Sequence, residues 1–236
     1  MANTHTVIAA LKFQGGVVIA ADSQLTEPLV QVRWPIEKVD QVEQQPLVIG
    51  FSDSLGMGQR ARAALGDGSF RATTFQKRER VQSLLDAKLD AIHEQIKKVS
   101  KPPGTTWPEI GLTALAAFWA DGQPEILDRD CNADSCFHEC FHAIGSGGAT
   151  AYAVYNTIGG KAHLPFVDEP KALMAMLRII RTAIRVDMMG VSEPITAFII
   201  SGAKVRKLSE EEIGAHMQAV KAWEDGEQER FREMKL

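Results

Sequence analysis

Two apolar runs close to the N-terminus constrain this chain more than any other stretch. Thr6-Val-Ile-Ala-Ala-Leu11 and Val17-Val-Ile-Ala-Ala21 are joined by a turn that contains Gly15-Gly16. Partly β-branched runs around paired glycines read as a hairpin, and the second run is apolar enough to be buried on both faces. A threonine opens the first strand, Asp22 closes the second, and Lys38 stands as far beyond Asp22 as Asp22 stands beyond Thr6.

Downstream, Leu25-Thr26-Glu27-Pro28 breaks the strand pattern, and 31–35 reads as extended chain. Residues 38–42 and 47–51 form a second β pair. A short helix over 55–65 ends at Gly66-Asp67-Gly68, and a longer one over 76–100 carries Val81, Leu84, Leu85, Ile92 and Ile96 on one face. Strands are expected over 111–119, from the Asp121-Gly122 turn to about 129, and over 136–144. Helices follow over 149–158 and 170–186. The second is apolar around most of its circumference, so other layers or a neighbouring subunit should enclose it. A hairpin over 195–200 and 204–208 closes the sheets, and Ser209-Glu-Glu-Glu212 is a capping box that opens a charged C-terminal helix over 209–233. Strands, helices, strands, helices in blocks predict an α+β fold with sheets and helices in separate layers. With 236 residues and no linker or repeat, one domain over 6–236 is expected.

Composition removes several function classes. A net charge of −4 argues against a basic nucleic-acid surface, and no apolar stretch is long enough to span a bilayer. The opening Met-Ala-Asn-Thr-His lacks the charged and apolar regions of a signal peptide, and three cysteines suit a reducing compartment without a disulfide framework. These features predict a soluble cytoplasmic protein.

The spacing of Thr6, Asp22 and Lys38 resembles that of the proteasome β-subunit family of N-terminal nucleophile hydrolases, in particular the bacterial proteasome homologues and the heat-shock-locus peptidase. Val48-Ile-Gly-Phe-Ser52, the turn His142-Ala-Ile-Gly-Ser146-Gly147 and Asp187 after a long helix continue the resemblance in order. It implies a four-layer αββα sandwich of two antiparallel sheets between helix layers. It also implies a threonine endopeptidase in a six- or seven-fold ring of its own copies, stacked as a double ring, cutting polypeptides without a cofactor. An ATP-driven unfoldase would feed such a chamber.

The implied chemistry follows from the residue types. A threonine hydroxyl needs a base, and a free α-amine on the same residue, titrating near pH 8, can serve. Lys38 would lower the pKa of that amine and steady the developing alkoxide, while Asp22 would hold Lys38 charged and oriented. By resemblance, the backbone at Ser52 donates to the oxyanion, and Ser146 and Asp187 hydrogen-bond around the amine. Thr26 would pair with substrate backbone, Gly50 would floor an open specificity pocket, and Asp53 would put a carboxylate at the cleft rim.

An amine at Thr6 requires removal of residues 1–5 as a short propeptide. Self-processing members carry glycine before the threonine, where this chain has His5, and serine three residues past the aspartate, where it has Gly190. The alternatives are a structural β-type subunit with Thr6 never unmasked, and an amidase of small substrates on the same fold.

Cys136, His138, Cys140 and His142 alternate, so one continuous strand would turn all four to one face. Same-face neighbours on a strand lie nearly 7 Å apart, which offers two convenient ligands and seldom four. Ordinary packing, with no metal, is the expectation there.

Overall fold

The computed structural model describes residues 6–27, 32–52, 55–99, 112–130, 132, 134–163, 167–186 and 193–233. The opening hairpin forms as β1 (Ile8–Phe13) and β2 (Gly16–Asp22), in antiparallel register with Ile8 opposite Ala21 and Phe13 opposite Gly16. The remaining strands are β3 (Gln24–Glu27), β4 (Val32–Pro35), β5 (Val39–Gln41), β6 (Leu47–Ser52), β7 (Thr113–Ala120), β8 (Gln123–Arg129), β9 (Ser135–His138), β10 (Phe141–Ile144), β11 (Ile195–Ser201) and β12 (Lys204–Lys207). They build two five-stranded antiparallel sheets, ordered β10-β1-β2-β11-β12 and β5-β6-β7-β8-β9, and a separate β3–β4 ladder.

The helices are α1 (Leu55–Leu65), α2 (Arg78–Val99), α3 (Gly148–Thr157), α4 (Gly160–His163), α5 (Glu169–Val186) and α6 (Glu210–Glu233), with a 3₁₀ turn at Ala72–Gln76. Strand periodicity assigns each face to a layer. On β1, Ala9, Leu11 and Phe13 join a core with Leu173, Met176, Ile180 and Val220 of α5 and α6. Ile8 and Ala10 of the same strand point the other way, toward Val48, Leu115 and Ile126 of the second sheet. That sheet turns Leu47, Ile49 and Phe118 toward Val81, Leu85 and Leu89 of α2. The result is four layers, helix–sheet–sheet–helix, and β2 is buried along its whole length because it is central in its sheet and covered on both sides. Lys12 of β1 and Glu125 of β8 form a 2.8 Å ion pair across the two sheets.

The apolar helix α5 is enclosed within the chain. It lies on β1 and β2, between α3 and α6, and its outer side meets α6 through charge. Arg178 pairs with Glu227 and stacks over Trp223 at 4.1 Å, while Arg181 pairs with Glu224 at 2.8 Å. The capping box of α6 forms as read, Ser209 and Glu212 exchanging backbone N–H bonds with each other's side chains at 2.9 and 3.1 Å.

Two local expectations are corrected, and one turn is added. Where a break was expected at 25–28, the described residues Leu25, Thr26 and Glu27 belong to a strand, β3, whose Thr26 lies opposite Arg33 of β4. The 3₁₀ turn at 72–76 was not foreseen. The single strand expected over 136–144 is two strands in different sheets: β9 pairs with β8 and β10 pairs with β1, so the chain changes sheet at Glu139-Cys140. Alternation of side chains cannot reveal that change, because each half keeps its own period. No helix among the described residues is long and apolar enough to cross a membrane.

Candidate active site

The hairpin register brings the first two residues of the triplet together. With Ile8 opposite Ala21, the next residues outward meet, and the Asp22 N–H donates to the Val7 carbonyl at 3.2 Å. The Asp22 carboxylate turns back and accepts the Val7 N–H at 2.9 Å, which fixes it beside Thr6. Lys38 arrives from the other sheet, one residue before β5, and its carbonyl accepts from the Phe51 N–H at 3.4 Å.

The Lys38 ammonium donates to both Asp22 oxygens at 2.8 Å and to Thr6 Oγ1 at 3.1 Å. Thr6, Asp22 and Lys38 are 2 %, 0 % and 7 % exposed. An ion pair this dry is held by mutual need: deleting one partner strands the other in a low-dielectric site, at about 3–5 kcal/mol. A lysine clamped to a carboxylate and aimed at the hydroxyl is placed to polarise the threonine oxygen.

The backbone nitrogen of Thr6 has its own partner. It donates to Ser146 Oγ at 3.2 Å. Ser146 is delivered by β10, whose Ile144 pairs with Ile8, and by the turn that follows. Gly147 N–H donates to the Thr6 carbonyl at 3.0 Å. Gly145 has φ +88°, and a Cβ there would lie 2.2 Å from the Thr6 carbonyl oxygen, so only glycine allows the turn to close on the threonine. The turn expected at His142–Gly147 thus forms, with Gly145 and Gly147 as the residues that let it close on Thr6. Sequence reasoning overlooked Ser23 and Thr196, whose buried hydroxyls meet at 3.3 Å next to Asp22.

The other expected site residues fall differently. Ser52 is buried at the end of β6, on the ladder that carries Lys38. Thr26 lies in β3. At Gly50 a Cβ would lie 2.7 Å from Val39 Cγ1 and 2.9 Å from Ile8 Cδ1, so the glycine permits a close contact there. Asp53, Asp187 and Gly190 lie outside the described residues.

No family model matches the sequence, and no curated protein matches it. Solved structures do share its fold. A mutant Anbu chain from Hyphomicrobium sp. strain MC1 is similar at 13% identity over 98% of both chains, with a TM-score of 0.75. Anbu (ancestral beta-subunit) from Yersinia bercovieri is similar at 14% over 98% of both chains, TM-score 0.75. A chain of the helical assembly of the Anbu complex from Pseudomonas aeruginosa is similar at 11%, over 98% of this chain and 97% of that one, TM-score 0.75. The expected affiliation with the bacterial proteasome homologues and the heat-shock-locus peptidase is therefore corrected: the likeness found is to Anbu chains. The physical reason lies in the register. The intervals joining Thr6, Asp22 and Lys38 follow from hairpin and strand lengths, so they carry the fold without selecting a branch of it.

Proposed function

We propose that this chain is a threonine-type hydrolase that cleaves peptide bonds with Thr6 once residues 1–5 have been removed. The observation that carries the reading is the Lys38 ammonium shared between the Asp22 carboxylate and Thr6 Oγ1, with the Thr6 nitrogen facing Ser146. While His5 precedes it, that nitrogen is an amide and cannot act as a base. Freed, it takes the Thr6 Oγ proton as the oxygen attacks the substrate carbonyl, and returns it to the leaving amine. Water then attacks the resulting ester on Thr6 through the same amine and releases the acid product. Lys38 stabilises the alkoxide, Asp22 orients Lys38, Ser146 positions the amine, and the backbone at Ser52 serves the oxyanion. By the same reading Asp187 assists Ser146 and Thr26 pairs with substrate backbone.

The subunit works among copies of itself. Solved structures that share its fold carry the descriptions ancestral beta-subunit and helical assembly, which supports self-association. A second reading, a structural subunit with Thr6 never freed, is favoured by His5, which lacks the conformational latitude of glycine at a self-cleaved bond.

The test is turnover of a fluorogenic peptide panel by the processed protein and by Thr6→Ala. Loss of turnover with assembly retained supports the mechanism; undiminished turnover in Thr6→Ala refutes it.

A further inference from the structure

A second polar cluster lies away from Thr6, where the chain crosses from one sheet to the other. We propose that Asp128, Cys136, His138 and His142 form a binding site for a divalent transition-metal ion, zinc foremost.

The ladder makes the first half of the site. Asp128 of β8 is directly opposite Cys136 of β9, and His138 follows two residues on, on the same strand face. One ligand atom from each of these three lies within 4.8 Å of the others. Tetrahedral zinc, with bonds of about 2.0–2.3 Å, separates its ligand atoms by about 3.3–3.8 Å, so small side-chain rotations suffice to close the set. The sheet crossing supplies the fourth group. His142, on β10, stacks on His138 with ring centroids 3.7 Å apart. Both imidazoles aim Nε2 at the one carboxylate, His138 at 2.8 Å from Asp128 Oδ1 and His142 at 3.5 Å from Oδ2.

Two nitrogens, one carboxylate oxygen and one thiolate are a donor set suited to a borderline cation. Both rings bring Nε2 to the one carboxylate, and a divalent ion would sit at that shared convergence point. Tyr152 Oη meets His142 Nδ1 at 2.8 Å, an outer partner that orients a ligating imidazole. Cys136 is exposed, which provides the way in.

Binding balances simply. The metal takes the Nε2 lone pairs as each ring moves its proton to Nδ1, and the Cys136 thiol proton passes to solvent, one per chain. Tyr152, able to donate or accept, follows the tautomer change at His142. Cys140 takes no part, because it falls in the turn between the sheets.

The experiment uses the reduced full chain, stripped with chelator and titrated with Co²⁺, then with Zn²⁺ against a chromophoric chelator. One ion per chain is expected, with a thiolate-to-cobalt absorption band and tetrahedral visible bands. Cys136→Ser should abolish the thiolate band, and Asp128→Asn and His138→Ala should each weaken zinc binding at least tenfold. Tyr152→Phe should weaken it about tenfold, as outer partners do. Circular dichroism identifies any variant that fails to fold, and the exposed Cys136→Ser substitution keeps the test decisive. No stoichiometric binding, or binding that none of these variants alters, overturns the site.

Discussion

The chain carries two polar constellations, and they are built in opposite ways. The Thr6 site is sealed, its three principal side chains almost wholly excluded from solvent and joined by an ammonium between a carboxylate and a hydroxyl. The His138–His142 cluster is half open, with Asp128, His138 and His142 between 15 % and 22 % exposed. In the first, each group is held in place by its neighbours, which suits transition-state stabilisation. In the second, water reaches the imidazoles, which suits reversible ligand exchange. The same physics gives one site its rigidity and the other its openness.

Substitutions can separate the two. The largest effect belongs to Thr6→Ala, which should reduce peptide turnover to background while circular dichroism and sedimentation stay unchanged. Next, Lys38→Ala removes the ammonium from beside the fully buried Asp22 and should cost about 3–5 kcal/mol in a denaturant melt. His142→Ala, whose partners retain water, should cost about 1 kcal/mol in the same melt. Equal costs would erase the contrast between sealed and open sites.

Gly50→Ala lies between these in size. If the position is an inter-sheet contact, the added methyl should destabilise by about 1–3 kcal/mol. If the position floors an open pocket, it should change peptide preference and leave stability alone.

The smallest effect calibrates an exposed pair. The hydrogen bond from Lys88, with Ser69 adding to it, lowers the Asp67 pKa from 3.8 to about 2. A carboxylate depressed in the folded state contributes stability above its unfolded pKa and loses it as pH falls through the folded value. The melting difference between the wild-type chain and Asp67→Asn should therefore be small above about pH 4, shrink toward pH 2, and fade in high salt.

How much was legible in the sequence follows from the same contrast. Thr6, Asp22 and Lys38 could be read together because the hairpin register and one adjoining strand determine their meeting, and both are written in local apolar pattern. The four layers were legible for a related reason: each strand buries alternate residues in different cores, as β1 does with Leu11 and Ala10. The His138–His142 stack was not legible. Cys136, His138, Cys140 and His142 keep a period of two through a change of sheet, and only the tertiary path folds His142 back over His138. Gly50 shows that a glycine marks close approach as readily as open space, and one of the side chains beside it, Ile8, is distant in sequence.

The central claim is that Thr6 becomes an N-terminal nucleophile, and the intact mass of the purified, assembled protein tests it most directly. The account predicts a mass lacking residues 1–5, with Thr6 as the first residue. A fully assembled protein that retains those residues and still cleaves peptides would contradict it.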